Sequence, residues 1–276
     1  MRNLLLILIL LFLLATRCRR DQPGWDGLLG WDYAHRGLHG DGVPENSMAA
    51  FRAALEHGYG VELDIHLLKD GNLAVIHDSL LNRTTGQVGH VEDLTTKQLK
   101  DYHLQGTDQT IPEFMDVLEL FQGKAPMIIE LKSHDGNAAA LTEAACKMLD
   151  TYKGPYCLES FDPRCLIWLR RNRPGILRGQ LSYNYFRYRS DVPDVAKFAL
   201  THHLLNFATV PDFIAYGFDH RKDSFVTAVC RKLWKVRSVA WTIRSQEDYD
   251  TALAEGWIPI FEGFIPEKKE LPKAEV

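Results

Sequence analysis

Residues 61–78 read VELDIHLLKDGNLAVIHD. Val61, Leu63, Ile65 and Leu67 alternate with Glu62, Asp64 and His66, the period-two pattern of a strand with an apolar face and a polar one. The polar face carries two carboxylates at i and i+2, pointing the same way. Asp70-Gly71 signals a turn, and a second short strand, Leu73 to Ile76, delivers His77-Asp78 at its end. Buried acidic pairs repel unless a cation or a proton compensates. One hairpin therefore holds a candidate hard-metal site and a candidate proton-transfer histidine. The competing reading is an edge strand whose polar face meets water.

Upstream, Trp31 to Ala34 runs as a short strand into His35-Arg36-Gly37. After a glycine-rich loop, Ser47 is placed to cap a helix through Gly58, with Met48, Phe51, Ala54 and Leu55 on one face. Strand, helix, strand is the opening of a parallel unit. Downstream, residues 82–110 are polar and irregular, an insertion with a helix near Thr95 to Asp101. Pro112 opens a helix through Phe121. Strand 127–132 places Glu130 and Lys132 on one face, repeating the spacing of Glu62 and Asp64. Helices are predicted over 137–152, 163–172, 192–203, 224–234 and 246–255, and strands over 156–160, 175–181, 213–218, 236–243 and 258–261. This alternation of about eight strands with helices predicts an α/β TIM (β/α)8 barrel with a small insertion after the third strand, rather than an open sheet.

The 276 residues, 46% hydrophobic and 25% charged, suit one large α/β domain or two small ones. A net charge of −4 gives no reason to expect a nucleic-acid partner. Cys18, Cys146, Cys157, Cys165 and Cys230 are odd in number with no CxxC spacing, which reads as buried thiols in a reducing compartment. Residues 4–15, LLLILILLFLLA, are apolar without interruption, although a membrane span needs roughly 20 residues. Arg17, Arg19 and Arg20 follow the run, and by the positive-inside rule they keep the C-terminal side cytoplasmic. Residues 1–20 are thus expected to be a single-pass N-terminal membrane anchor, with an unusual signal and an extracytoplasmic enzyme as the rival reading. Residues 21–30 are expected to be a linker, 31–265 the catalytic domain and 266–276 a charged tail.

Catalytic groups of such barrels sit at the C-terminal ends of the strands, where His35, Arg36, Glu62, Asp64, His77, Glu130, Lys132 and Trp241 all fall. Three carboxylates with no cysteine among them suit a hard divalent cation, Mg²⁺ or Ca²⁺. Two histidines can divide the work of base and acid, since an ordinary pKa of about 6.5 allows either protonation state near neutrality. Arg36 and Lys132 suit a phosphate. Together these groups suggest hydrolysis of a phosphodiester.

The ordered set His35-Arg36-Gly37, Pro44-Glu45-Asn46-Ser47, Glu62-Leu63-Asp64, Lys69-Asp70-Gly71, His77-Asp78 and Arg83-Thr84-Thr85-Gly86 resembles the bacterial glycerophosphodiester phosphodiesterase family. Ile111-Pro112-Glu113, Glu130-Leu131-Lys132, Ser160-Phe161-Asp162 and Trp241-Thr242 extend the match in order over about residues 31–263. The resemblance implies a TIM barrel that cleaves glycerophosphodiesters to an alcohol and sn-glycerol 3-phosphate. It implies His35 and His77 as the acid/base pair and Glu62, Asp64 and Glu130 as metal ligands. Arg36 and Lys132 would hold the phosphate, Trp241 would line the substrate mouth, and Asn46 would lie close to the site. The chain departs from the family pattern at Ser47, Arg244 and Glu262. A lysophospholipase D-like enzyme acting on monoacyl lipids is the alternative, and a tethered binding protein without turnover is a third reading. His66 is expected to lie away from the metal. The aromatic-basic run 182–190 either packs on the barrel or meets anionic lipid. Asp78 and Glu159 are expected to be supporting partners.

Overall fold

A computed structural model describes residues 2–20, 22–189 and 192–267. The charged tail expected over 266–276 lies almost wholly outside them. The strands are β1 (Tyr33–His35), β2 (Gly60–Leu67), β3 (Leu73–Val75), β4 (Met127–Leu131), β5 (Tyr156–Ser160), β6 (Arg178–Ser182), β7 (Phe213–Gly217), β8 (Arg237–Ile243) and β9 (Ile258–Phe261). Eight of them form one parallel sheet that closes on itself, because β1 pairs with both β2 and β9. The expected TIM barrel is therefore present. The third predicted strand is not one of its staves: β3 is antiparallel to the far end of β2, with Ile65 opposite Val75. The insertion follows this hairpin.

The helices are α1 (Arg2–Ala15), α2 (Met48–Glu56), α3 (Asn82–Thr85), α4 (Phe114–Phe121), α5 (Ala138–Leu149), α6 (Pro163–Asn172), α7 (Asp194–Thr201), α8 (Asn206–Thr209), α9 (Phe225–Leu233) and α10 (Gln246–Ala254). Ser47 caps α2 by accepting from the Ala50 N–H at 3.1 Å, a contact worth about 1 kcal/mol. Asp162 caps α6, with Pro163 in the first turn. Pro174-Gly175 turns the chain after α6, so β6 begins at Arg178 rather than at 175.

Strand β2 is buried on both faces. Val61, Leu63 and Ile65 belong to the core beneath the helices, while Glu62 and Asp64 turn toward the barrel axis and are 3% and 1% exposed. The edge-strand reading is thereby excluded. The insertion has a small core of its own, built on Leu81, Val91, Leu94, Leu99 and Leu104 against Leu68 and Ile76. Its helix near Thr95 is a 3₁₀ helix, Thr96–Asp101.

The N-terminal end of the barrel, its foot, is closed by the segment expected to be a linker. Trp25 and Leu28 are buried. Trp25 meets Phe213 edge-on at 5.7 Å, and Tyr33 Oη donates to the Leu28 carbonyl at 2.7 Å. Residues 22–30 are thus a plug packed into the lumen, held by the apolar side chains between the glycines.

The single-pass anchor is not supported. The apolar run folds as the 14-residue α1, and no helix among the described residues is long and apolar enough to cross a membrane. Nor do the arginines flank a bilayer. Arg19 pairs with Asp212, and Arg20 donates to the carbonyls of Leu233 and Trp234. Helix α1 runs beside α9: Phe12 stacks on Phe225 at the start of α9, and Thr16 accepts from Trp234 Nε1 just past its end. Since α9 descends from the catalytic end of the barrel to the foot, α1 runs the same way. Its residues before Phe12 extend about 15 Å past the start of α9, with Leu4 through Leu11 45–65% exposed.

Candidate active site

Strand register assembles the site. His35 on β1 is paired with Glu62 on β2, Asp64 with Glu130 on β4, and Glu130 with Glu159 on β5. Side chains from neighbouring staves therefore project into one layer at the C-terminal end. Ligand oxygens of Glu62, Asp64 and Glu130 all lie within 4.8 Å of one another, and all three residues are buried. Lys132, just past β4, reaches Asp64 at 3.1 Å and Glu130 at 2.8 Å. His35 Nε2 stands 3.8 Å from Glu62. The Arg36 backbone N–H donates to Glu62 at 3.1 Å, and its guanidinium lies 3.6 Å from Asp64. Asn46 Nδ2 donates to Asp64 at 2.8 Å. Arg36 and Asn46 both have positive φ, 54° and 52°, strain that surrounding contacts hold in place. Gly37, at φ +79°, has no room for a side chain: a Cβ would come within 2.8 Å of Ala50.

The electrostatics are those of carboxyls crowded together out of water. Burial, then the charges of Asp64 and Glu130, push the Glu62 carboxyl well up. Burial pushes Glu130 up to about 7, although Lys132 opposes this. Burial would also raise Asp64, but Lys132, His77, Arg36 and the Asn46 hydrogen bond together hold it low. Beneath them, Glu159 is pushed well up by burial and by Glu130. Hard oxygen donors this close fit Mg²⁺ or Ca²⁺, and a dication would relieve the repulsion that raises Glu62 and Glu130.

Each candidate histidine is held by a carboxylate through Nδ1. His35 donates to Glu262 at 2.5 Å, and His77 donates to Asp78 at 2.5 Å. That fixes the tautomer and leaves Nε2 of each ring for proton transfer. Burial lowers His35, with the Glu262 bond opposing. Burial lowers His77 to about 4, with Asp64 opposing and Lys132 and Arg36 assisting.

All the expected residues except Trp241 share contacts around this cage. Trp241 lies to one side, at a pocket of about 310 Å³ lined by Tyr183, Tyr188, Phe218, His220 and Arg244. Of the aromatic-basic run, residues 182–189 are described, and they pack against it: Tyr183 meets Trp241 edge-on at 6.2 Å, while Phe186 and Tyr188 are about half exposed. Both ring nitrogens of His66 are engaged away from the three carboxylates. The ring donates to Glu92 at 2.7 Å and props the His77 carbonyl at 3.1 Å. Sequence reasoning left the contacts of three supports unassigned. Glu45 bridges Arg36 and Arg83, Arg83 also holds Asp78, and Glu262 orients His35. The first two sit inside motif blocks already noted. Glu262 gives no local signal, being 227 positions from its partner.

Residues 35–265 match the glycerophosphoryl diester phosphodiesterase family. A glycerophosphodiester phosphodiesterase of Bacillus altitudinis is 44% identical over 107 residues, covering 36% of this chain and 43% of the relative. A lysophospholipase D of Rattus norvegicus is 33% identical over 133 residues, 44% of this chain and 41% of the relative. The chain thus spans less than half the length of these two relatives. The solved structure of an Oleispira antarctica phosphodiesterase in complex with the product sn-glycerol-3-phosphate superimposes with a TM-score of 0.66 at 22% identity, covering 85% of this chain and 93% of that one. With the matched region spanning the whole barrel and both candidate histidines, the chain belongs to the glycerophosphoryl diester phosphodiesterase family.

Proposed function

We propose that this chain is a metal-dependent phosphoric diester hydrolase that cleaves glycerophosphodiesters to an alcohol and sn-glycerol 3-phosphate, within glycerophospholipid breakdown. One observation carries the reading: three buried carboxylates from β2 and β4 converge within 4.8 Å, flanked by two carboxylate-held imidazoles and a buried lysine. Glu62, Asp64 and Glu130 would hold a divalent cation, Mg²⁺ or Ca²⁺. Bound there, the cation supplies charge stabilisation to the phosphoryl oxygens. Lys132 and Arg36 bind the remaining phosphate charge as preorganised donors. The free Nε2 of one neutral imidazole accepts the proton of the attacking hydroxyl, and the other ring, entering the step as an imidazolium beside the bound phosphate anion, gives its Nε2 proton to the leaving alkoxide. Asp78 and Glu262 stabilise each imidazolium as it forms. Asn46 holds Asp64 in place, and Trp241 walls the pocket for the alcohol.

The test is release of glycerol 3-phosphate from glycerophosphocholine with Mg²⁺, with Ca²⁺ and with chelator. His77→Ala should lower turnover about 10²–10⁴-fold, and unchanged turnover would remove its role. A second reading, a lysophospholipase D-like action on monoacyl lipids, is favoured by the direction of α1. Its half-exposed leucines run on from Phe12, which stacks on Phe225 at the start of α9, itself 65% exposed. Seated on a bilayer surface, α1 would turn the mouth of the barrel toward lipid. Five free buried thiols favour the cytoplasmic face. Rates on lysophosphatidylcholine vesicles and on glycerophosphocholine, before and after removal of residues 2–11, separate the two substrates.

A further inference from the structure

The three arginines after the apolar run lie outside the catalytic cage. At the foot, Arg17, Arg19 and Arg20 join Arg170 and Arg178 around a cavity of about 560 Å³ that Trp234 also lines. Asp212, beside it, is the one carboxylate that pairs with them among the described residues, and both its oxygens are taken. Arg19 Nε holds one at 2.5 Å. Arg19 Nη2 and the Arg178 backbone N–H share the other, at 2.6 and 2.9 Å. Asp26, Lys235 and Arg237 line the adjoining cleft, so the surroundings are basic too.

Arg178 is the decisive residue. It is 2% exposed. Its Nε donates to the Thr209 carbonyl at 2.9 Å and its Nη2 to the Val210 carbonyl at 2.7 Å, while Nη1 finds no partner among the described residues. A buried guanidinium with an unused donor is costly. The cost is visible in its acidity: burial first, then repulsion by Arg19 and Arg170, lowers Arg178 to about 10 in spite of Asp212. Its neighbours spend donors on main-chain oxygens, Arg170 on Phe207 and Ala208 and Arg20 on Leu233 and Trp234. None of those contacts neutralises charge.

We propose that this cavity is a second, non-catalytic site for a phosphate dianion, at the opposite end of the barrel from the carboxylate cage. The guanidinium fork suits tetrahedral phosphate oxygens, and the volume admits a small phosphomonoester. Since Arg17, Arg19 and Arg20 follow α1 directly, a bound anion fastens the N-terminal segment to the barrel. The phosphate can come from solution or from an anionic lipid headgroup.

Full-length protein decides between these sources and tests the site itself. Melting is followed against phosphate at constant ionic strength, with chloride as the balance. Wild type should gain about 4 °C saturably by about 10 mM phosphate. The double variant Arg17→Gln/Arg170→Gln, altered only at exposed side chains, should lose at least half of that gain while keeping wild-type turnover in phosphate-free buffer. Arg178→Met should show the same loss of phosphate gain. In a parallel arm, flotation with phosphatidylglycerol or phosphatidylcholine vesicles is repeated with both proteins. Binding to phosphatidylglycerol that phosphate competes away and the double variant lacks supports the site with a headgroup as its source. Equal phosphate gains in wild type and double variant, with no difference in flotation, overturn the proposal.

Discussion

The two ends of the barrel carry opposite imbalances of charge. At the C-terminal end, Glu62, Asp64, Glu130 and the deeper Glu159 crowd together against Lys132 and Arg36, and two of the three cage carboxyls are pushed up. At the foot, five arginines surround a cavity and, among the described residues, only Asp212 pairs with them, while the most buried of them is pushed down. The barrel wall is rigid and apolar between them, so neither cluster can neutralise the other. On the two proposals made above, each end binds a ligand because folding leaves its charge uncompensated, and the sign of the excess sets the ligand charge it takes.

Breaking this symmetry should have graded effects. The largest is at the foot, where Asp212→Ala strips the buried partner from Arg19 and should cost about 3–5 kcal/mol in urea melts. The corresponding change at the other end, Glu62→Gln, removes a repelled acid, and it should raise stability in chelator while abolishing turnover. A destabilised Glu62→Gln would deny that the cage is strained. Next, Glu262→Gln should lower kcat/KM about tenfold and shift the pH profile, because the His35 imidazolium loses its charged partner. A uniform loss at all pH values would instead mean mere misfolding of the loop. A dependence on pH separates a compensated acid from uncompensated ones. Glu130, raised to about 7, binds its proton more tightly folded than unfolded. It therefore makes metal-free protein lose stability as pH rises from about 4.3 through 7. Glu92 is lowered to about 2, where burial is outweighed by the His66 hydrogen bond. It contributes stability above about 4.3 that is lost as pH falls through 2. Urea melts of Glu130→Gln and Glu92→Gln across pH should remove those two slopes separately.

Much of the catalytic end was legible in the sequence because its residues come from short motifs on or beside strands. The i, i+2 carboxylates of β2 and the repeated spacing at Glu130 and Lys132 gave the cage, and alternation of elements gave the barrel. What stayed hidden depends on register and on distant closure. The Glu130 side chain meets Asp64 because β4 pairs with β2, a fact no local pattern encodes. Likewise Glu262 reaches His35 only because β9 closes on β1. The foot was misread for a related reason. An apolar run followed by arginines reads as a membrane signal when its neighbours in space are unknown. Here Asp212, 193 positions from Arg19, claims the charge, and Trp25 and Leu28 turn an expected linker into a plug.

All five cysteines are free and buried, and they are spread over both layers of the molecule. Cys18 lies in the docked segment, with Asn206 Nδ2 donating to its sulfur at 3.4 Å, while Cys157 faces the barrel lumen. A slow alkylating reagent therefore has no target until some part of the protein opens. Mass spectrometry of the labelled peptides would time each opening separately. Peeling of the first twenty residues would mark Cys18 well before Cys157, so the native thiols form a ready-made clock for the order in which the structure comes apart.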